Sequence, residues 1–215
     1  MFTGIVTDVG RVTAVAEAEG LRRFRIQMTR DDGPVPLGAS IACAGVCLTV
    51  VETGLEDGRT WFDVEAGFET LRATSAGSWS ESTRINLERA LKAGDEMGGH
   101  VVSGHVDGIA HVEAVEPDGG AVRYRFRMPQ DVVPFVASKG SVTLDGTSLT
   151  VNEVEGDRFW VMMIPHTLAV TTWGERAAGD AVNIEVDMLA RYVARLDAVR
   201  RSEDVVVRRA EAEDA

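Results

Sequence analysis

The stretch Gly140-Ser-Val-Thr-Leu-Asp-Gly-Thr-Ser-Leu-Thr-Val151 decides the fold, because the chain carries the same layout twice. The earlier copy is Ala39-Ser-Ile-Ala-Cys-Ala-Gly-Val-Cys-Leu-Thr-Val50. Each run breaks at a glycine and then presents a thiol or a hydroxyl just before Leu-Thr-Val. The copies differ at Cys47 and Ser148, so one scaffold carries two different reactive groups.

The repeat extends well beyond this stretch. Phe2-Thr-Gly-Ile-Val6 matches Val102-Ser-Gly-His-Val106, and Arg84-Ile-Asn-Leu-Glu88 matches Ala181-Val-Asn-Ile-Glu185. Such self-similarity predicts two tandem copies of one domain of about 95 residues each. We expect domains over residues 1–97 and 98–187, then a helix and polar tail over 188–215.

Strict alternation of polar and apolar residues, as in Arg23-Phe-Arg-Ile-Gln-Met28, indicates half-buried strands. The first copy predicts six short strands, near residues 4–7, 11–16, 21–28, 40–51, 61–65 and 84–86. Turn signals such as Glu19-Gly20 and Asp57-Gly58 favour an all-β fold in which each copy closes into an antiparallel barrel. Helical turns are expected at 69–72 and 166–169.

Two further helices are predicted outside the barrel strands. Residues 129–138 suggest a short helix with Asp131 near its N-terminus. After Asp187, apolar residues recur at three- and four-residue spacing on one stripe of an amphipathic helix, namely Leu189, Tyr192, Val193, Leu196 and Val199. That stripe could meet partner chains or lie on its own barrel. The polar end, 208–215, is expected to fray.

Composition excludes several classes of function. A formal net charge of −12 argues against nucleic-acid binding, which needs a basic face. No apolar run approaches the roughly 20 residues that span a bilayer, and the N-terminus does not have the pattern of a signal peptide. We therefore expect a cytoplasmic protein without a membrane partner.

The two cysteines, Cys43 and Cys47, fall on one predicted strand. Their separation along that strand would be about 13 Å, too far for a disulfide. They do not form a Cys-x-x-Cys pair, so a zinc site is not indicated, and Cys43 is expected to be a small buried hydrophobe. Phosphate loops, dinucleotide fingerprints and metal-ligand clusters do not occur in the sequence.

Duplicated barrels offer two similar clefts for two similar small molecules. Backbone groups at Gly4 and Gly104 are predicted to contact the ligands, because glycine leaves room for close approach. Four hydroxyls add candidate polar contacts, those of Ser40, Thr49, Ser148 and Thr150.

The most informative differences between the copies are Ile5 against His105 and Cys47 against Ser148. His105 is a candidate for proton transfer, although a lone histidine is more often structural. Cys47 is a candidate reactive group, although buried cysteines are usually inert. His100 is expected to hydrogen-bond locally within the linker, and no acid–histidine pattern beyond Asp145 surrounds Ser148 in the sequence.

Four motifs together carry a family resemblance. Met1-Phe-Thr-Gly-Ile-Val, Gly98-Gly-His-Val-Val-Ser-Gly-His-Val-Asp-Gly108, Asp145-Gly-Thr-Ser-Leu-Thr-Val and Val182-Asn-Ile-Glu-Val-Asp187 closely resemble the alpha-chain type of the riboflavin synthase family. The resemblance implies two six-stranded Greek-key barrels, each binding a lumazine, followed by a helix that assembles a homotrimer. It also implies a dismutation of two 6,7-dimethyl-8-ribityllumazine molecules without cofactor or metal, and association with lumazine synthase.

By position, the resemblance implies a substrate site in each barrel. The site of the first barrel comprises Phe2, Gly4, Ile5, Val6, Ser40, Cys47, Leu48, Thr49, Glu65, Ala66, Gly67, Phe68, Glu69 and Thr70. The site of the second comprises Gly104, His105, Val106, Lys139, Ser148, Leu149, Thr150, Met162, Met163, Ile164, Pro165, His166 and Thr167. The productive site is expected to join the first barrel of one subunit to the second barrel of another.

The resemblance also suggests individual roles. We expect His105 to transfer protons and Cys47 to act as a polar group or transient nucleophile across the subunit boundary. Phe2 is expected to stack or to position. Ser148, Thr150 and Asp187 are expected to orient substrate by hydrogen bonds.

Three alternatives remain open at this stage. A non-catalytic lumazine- or flavin-binding relative would keep the barrels and lose the catalytic side chains. A flavin reductase would need a nucleotide-binding domain, for which this chain has no room. A duplicated interaction module would leave the motifs unexplained. Two departures from the family pattern, at 79–83 and in the longer tail beyond Arg201, do not touch the proposed site.

Overall fold

The structure, a computed structural model, describes residues 1–30 and 33–213, with side chains except at position 18 and from 202 onward. The first barrel consists of β1 (Asp8–Ala18), β2 (Leu21–Gln27), β3 (Ser40–Cys43), β4 (Val46–Glu56), β5 (Arg59–Ala66) and β6 (Arg84–Arg89). The second consists of β7 (Gly108–Asp118), β8 (Ala121–Arg127), β9 (Ser141–Leu144), β10 (Thr147–Glu155), β11 (Arg158–Met163) and β12 (Ala181–Val186). The α-helices are α1 (Phe68–Ala73), α2 (Pro165–Val170) and α3 (Met188–Glu213).

Within the described residues, the strands close into two six-stranded antiparallel barrels. Around the first barrel the order is β1-β2-β5-β4-β3-β6, and the equivalent strands of the second follow the same order. Strands distant in sequence are therefore neighbours, as in a Greek key. The register shifts at equivalent places in the two copies, for example after Val12 in β1 and after Val112 in β7. The predicted all-β tandem-barrel fold is confirmed.

The alternation read from the sequence builds both cores. In β2, Phe24 and Ile26 are fully buried, and in β8 Tyr124 and Phe126 occupy the equivalent positions. Burying one such side chain contributes about 1.5–3 kcal/mol. The polar residues between them point outward, where Arg25 forms an ion pair with Asp63. Each copy therefore has a hydrophobic core of its own.

Two strand predictions were wrong. Residues 4–7 are not a strand, and β1 begins only at Asp8. The predicted strand over 40–51 is interrupted by a tight turn, in which Ala44 and Gly45 have φ values of 46° and 79°. Cys43 and Cys47 consequently lie on neighbouring strands of a hairpin rather than on one strand, and Cys47 pairs with Ala42. Both thiols are free.

Two of the three short helical segments predicted from the sequence are helices in the structure. The helical turns expected at 69–72 and 166–169 are α1 and α2. The helix expected within 129–138 is only a 3₁₀ turn, Val133–Phe135, which begins around a proline. Asp131 is exposed and precedes that turn, so its predicted role as an N-terminal charge was wrong.

The C-terminal helix begins at Met188, as predicted. Its backbone is helical as far as Glu213, and the expected fraying from residue 208 stays a prediction. Positions 214 and 215 lie outside the described part. α3 touches the 3₁₀ turn of its own barrel, and Arg191 pairs with Asp107 at 2.6 Å. Four apolar side chains of α3 are nevertheless at least 62% exposed, those of Leu189, Tyr192, Val193 and Leu196. Among the described residues, no helix has the length and apolar character needed to cross a membrane.

Candidate active site

The segments 2–6 and 102–106, which precede the first and second barrels, each contact the barrel of the other copy. They are called the crossing segments below. Phe2 and Val102 form an antiparallel bridge, with N···O distances of 2.8 and 3.0 Å. Beyond this bridge, the carbonyl of Gly4 accepts a hydrogen bond from the amide of Ser148 at 2.8 Å. In the equivalent contact, the carbonyl of Gly104 accepts from the amide of Cys47, also at 2.8 Å.

These contacts add a residue of the other barrel to each predicted group, whereas sequence order predicts that each segment lines the cleft of its own barrel. Residues 4–6 were assigned to the first barrel and 104–106 to the second, on the basis of sequence order. Instead, Gly4 lies against Ser148 of the second barrel, and Gly104 lies against Cys47 of the first. Val106 likewise packs on the core of the first barrel. Each cleft is built from one barrel and a segment that belongs to the other.

Gly4 and Gly104 serve this contact between barrels, rather than leaving space for a ligand as predicted. Both are buried and have positive φ values, 75° and 79°. A Cβ at Gly4 would lie 2.5 Å from the Cβ of Ser148, and one at Gly104 would lie 2.6 Å from the Cβ of Cys47. A larger residue would push the crossing segment away from the reactive side chain.

Two buried carboxylates hold the crossing segments. Glu88 of β6 accepts from the amide and hydroxyl of Thr3, at 2.6 and 2.7 Å, and from the amide of Gly4 at 2.9 Å. Glu185 of β12 makes the same three bonds to Ser103 and Gly104. Burial raises the pKa of Glu88, and its hydrogen bonds oppose that rise. Sequence analysis missed these roles, although an acidic residue at equivalent places in two apolar strands was a visible signal.

His100 makes long-range contacts, so the expected local hydrogen bond was wrong. Its Nδ1 lies 2.7 Å from Oγ of Ser148, and its Nε2 lies 3.1 Å from Oγ1 of Thr143. Burial lowers the pKa of His100, and the negative charges of Asp187 and Glu185 oppose that change. The result is an imidazole that favours its neutral form, in contact with a hydroxyl. A neutral imidazole can accept a proton or relay one.

Asp145 is the acidic residue closest to Ser148 in sequence, but its carboxylate binds other residues. Its carboxylate is buried and binds Arg176 at 2.6 Å and the amide of Asn183 at 2.8 Å. Burial raises the pKa of Asp145, while Arg176 opposes the rise. The carboxylate of Asp145 therefore bonds within the second barrel, and its backbone carbonyl joins the two barrels by accepting from the side-chain amide of Asn86 at 2.9 Å.

The cleft of the first barrel contains Cys47 on β4, half-buried. Phe2 is fully buried beside it, in a small cluster with Ala42 and Val102. Such burial excludes stacking of Phe2 on a bound ring and leaves the positioning alternative. His105 is exposed on the crossing segment, next to Gly104, which contacts Cys47. His105 is therefore the neighbour in sequence of the residue that bonds the backbone of Cys47, and a shared ligand site for the two side chains stays a prediction.

The other predicted site residues differ in burial and in their partners, and their contact with a ligand stays a prediction. Four of them have side chains buried in the barrel cores, so only their backbone could meet a ligand: Leu48, Ala66, Leu149 and Met163. Glu65 pairs with Arg23 and Glu69 with Arg72. The remaining positions are half-buried or exposed: Ile5, Val6, Ser40, Thr49, Gly67, Phe68, Thr70, Lys139, Thr150, Met162, Ile164, Pro165, His166 and Thr167.

Two of the predicted residues have distinctive local geometry. Lys139 is exposed with a φ of 68°, a conformation unusual for a residue with a side chain. Asp187 accepts from the amide of Leu189 at 2.9 Å and so caps the start of α3. Its predicted contact with substrate stays a prediction.

The arrangement suits polar organic ligands. Among the residues whose side chains the structure describes, no three His, Cys, Asp or Glu side chains come close enough together to hold a metal ion. The groups at the clefts are hydroxyls, a thiol, imidazoles and backbone amides. These can hydrogen-bond a heterocycle or a polyol, and can move protons.

Comparison with known proteins identifies the family. A model of the lumazine binding domain matches the chain twice, over residues 3–90 and 103–187. The riboflavin synthase of Brucella abortus is 55% identical over 197 residues, covering 91% of this chain and 98% of that protein. This chain belongs to the riboflavin synthase family. Another member, from Mycobacterium bovis, is 44% identical over 91% of this chain and 98% of its own length.

The fold is shared more widely than the sequence. LumP in complex with riboflavin superposes with a TM-score of 0.75 at 23% identity, covering 86% of this chain and 99% of LumP. LumP in complex with 6,7-dimethyl-8-(1'-D-ribityl) lumazine gives 0.73 at 21% identity. At such low identity the likeness establishes the tandem-barrel fold alone, while the riboflavin synthase family membership rests on the closer relatives.

Proposed function

We propose that this chain is a riboflavin synthase, which converts two 6,7-dimethyl-8-ribityllumazine molecules into riboflavin and 5-amino-6-(ribitylamino)uracil. The observation that carries the proposal is the 55% identity to the Brucella abortus riboflavin synthase over nearly that protein's full length. Two similar clefts in one chain suit a reaction whose two substrates are the same compound.

The difference between the clefts supports a division of roles. A four-carbon unit leaves one lumazine and joins the other, so one molecule must lose protons from a methyl group while carbon 7 of the other is attacked. The second barrel offers Ser148 beside the neutral imidazole of His100, a pair suited to accepting and returning a proton. The first offers the thiol of Cys47, with His105 on the segment beside it.

Alignment of the two lumazines would supply a large part of the rate. Effective molarities of well-oriented reactants reach about 10⁵–10⁸ M. We propose that the first barrel of one subunit faces the second barrel of a neighbouring subunit in a homotrimer. The exposed apolar side chains of α3 support such an assembly. A cytoplasmic location and association with lumazine synthase stay predictions.

The rival function is binding without catalysis. The test is incubation of the purified protein with 6,7-dimethyl-8-ribityllumazine alone, following the absorbance of riboflavin and the appearance of the uracil product. We expect both products in equal amounts. Tight binding of the lumazine without any conversion would establish a binding protein instead.

Variants then test the named groups. His105→Ala and Cys47→Ser are each expected to lower turnover at least about tenfold while the fold is kept, because the first removes an imidazole and the second replaces a thiol by a much weaker nucleophile. Wild-type rates in both variants would remove these two residues from the mechanism without affecting the proposed reaction.

A further inference from the structure

We propose that Glu88 and Glu185 are positioning residues that act across the boundary between the barrels. Glu88 lies in the first barrel and sets the geometry of the Ser148 cleft. Glu185 lies in the second barrel and sets the geometry of the Cys47 cleft. Their effect on turnover rests on the proposed function, whereas their effect on geometry can be measured without it.

Each of the two carboxylates accepts three hydrogen bonds from the segment that it holds. Oε1 of Glu88 accepts two and Oε2 accepts one, all from Thr3 and Gly4. Glu185 repeats this pattern on Ser103 and Gly104, at 2.8, 2.6 and 2.9 Å. Both side chains are at most 5% exposed. Burying a carboxylate is costly unless its oxygens are well bonded, so these bonds fix the segment firmly.

Gly4 connects the carboxylate of Glu88 to Ser148 through its two backbone groups. Glu88 binds the amide of Gly4, and the carbonyl of the same glycine binds the amide of Ser148 at 2.8 Å. The hydroxyl of Ser148 then meets His100 at 2.7 Å. A single glycine therefore links a carboxylate of one barrel to the hydroxyl–imidazole pair of the other.

Gly104 connects the carboxylate of Glu185 to Cys47 in the same way. Glu185 binds the amide of Gly104, and the carbonyl of that glycine binds the amide of Cys47 at 2.8 Å. Neither carboxylate touches the reactive residue that it positions. Sequence order alone would assign Glu88 to Cys47, since both belong to the first barrel, and the contacts reverse that assignment.

Substitution by glutamine is the sharpest probe because it keeps the shape of the side chain. An amide group has one accepting oxygen and one donating nitrogen, so it cannot accept from both ends. Glu88→Gln should therefore lose either the bond to Gly4 or the pair of bonds to Thr3. Glu185→Gln should fail in the same way on Ser103 and Gly104.

The first measurement is the backbone amide spectrum of the full-length protein. We expect Glu88→Gln to shift the amide resonance of Ser148 and leave that of Cys47 in place, and Glu185→Gln to do the reverse. Glu113→Gln is the matched control, because Glu113 also holds several hydrogen bonds, from Arg127 and Arg158, but lies on the outer face of the second barrel. Shifts confined to the variant's own barrel would overturn the proposal.

The second measurement is a double-mutant cycle on turnover. A misplacement of about 1 Å can cost on the order of 100-fold, so we expect Glu88→Gln to lower kcat at least tenfold in the Cys47→Ala background. In the Ser148→Ala background the same substitution should change kcat less than twofold, because the group that it positions is absent. Glu185→Gln should show the opposite dependence. Equal losses in both backgrounds would contradict the inference.

A milder variant covers the case in which a glutamine variant does not fold. Thr3→Val and Ser103→Ala each remove one hydroxyl donor from a carboxylate and keep the rest of its bonds. They should show the same crossed pattern of amide shifts, at smaller amplitude. Absence of riboflavin formation by the wild-type protein would refute the proposed function alone, since the amide shifts decide the positioning role independently.

Discussion

Nδ1 of His100 lies 2.7 Å from Oγ of Ser148, although the two residues are 48 positions apart in the chain. His100 belongs to the linker that precedes the second barrel, and Ser148 lies on β10 within it. Thr143 holds the second ring nitrogen at 3.1 Å, so the imidazole is fixed at both ends. The linker therefore places an imidazole against the hydroxyl of Ser148.

Removing either member of this pair should lower turnover strongly. We expect His100→Gln and Ser148→Ala each to reduce kcat by about 10²–10⁴-fold, the usual contribution of a positioned acid or base. The double variant should be hardly worse than either single one, because the two groups act as a unit. Steady-state riboflavin formation measures this, with His111→Gln, exposed on the outside of β7, as the control. Additive losses would mean that the groups act separately.

The lowered pKa of His100 predicts a pH dependence of stability. Its ordinary value is 6.5, so in the unfolded chain the imidazole takes up a proton near that pH, whereas the folded protein resists protonation until a lower pH. Stability contributed by the neutral imidazole is thus present above about pH 6.5 and is lost as the pH falls through the folded pKa. Urea unfolding at about pH 7.5 and 5.5 should show a larger loss for the wild type than for His100→Gln. Equal losses would contradict burial of a neutral imidazole.

Gly4→Ala should disrupt the second cleft by collision. The added Cβ would lie 2.5 Å from the Cβ of Ser148, in addition to the strain of a positive φ. Gly20→Ala is the matched control, because its φ is 83° but no atom lies within 4 Å of the added carbon. We expect Gly4→Ala to reduce kcat by more than tenfold and Gly20→Ala by less than twofold, in line with the cost of small displacements, roughly 100-fold per Å. Similar kinetics for the two variants would remove the geometric argument.

The two thiols should differ sharply in reactivity. Cys43 is completely buried, and burial raises the pKa of its thiol far above the usual range, so little reactive thiolate forms. Cys47 is half-buried at the first cleft. A thiol reagent should therefore modify one cysteine per native chain, identified as Cys47 by peptide mass, and both after unfolding. Bound lumazine should slow the native reaction, and modification of Cys43 first would contradict the assigned burial.

The apolar face of α3 should govern assembly. Tyr192 and Leu196 are 62% and 65% exposed, one turn apart on the helix. The double variant Tyr192→Ser/Leu196→Ser should shift the mass measured by light scattering from a trimer toward the monomer and lower activity with it. Arg195→Ser, on the polar side of the same turn, is the control. An unchanged mass in the double variant would move the interface elsewhere.

Local patterns explain why the fold was predictable from sequence. The alternation in β2 and β8 depends only on neighbouring residues, and so does the stripe of α3. The tight turn at Ala44 is harder to predict, because apolar residues continue on both sides of it and only Gly45 marks the break, while the positive φ of Ala44 itself leaves no compositional signal.

The sequence predicts individual candidate residues of the site, but it does not predict which residues lie beside them. Cys47, Ser148 and His105 stand out as differences between copies, but their neighbours come from distant parts of the chain. Contacts such as Gly4 with Ser148 depend on how two barrels dock, and periodicity carries no information about docking. For the same reason the sequence does not predict the bond of His100 to Ser148 or the contact of each terminal segment with the other barrel.

The exchange of segments at the Phe2–Val102 bridge bears on the origin of this architecture. A single barrel released from the chain would lose the contact beside its reactive residue, because the segment that makes this contact is supplied by the other copy. Two identical barrels could complete each other only by pairing, and both clefts would then be the same. Joining the copies in one polypeptide makes the pairing permanent and lets the sequences diverge, so that a thiol can be kept at one cleft and a hydroxyl–imidazole pair at the other.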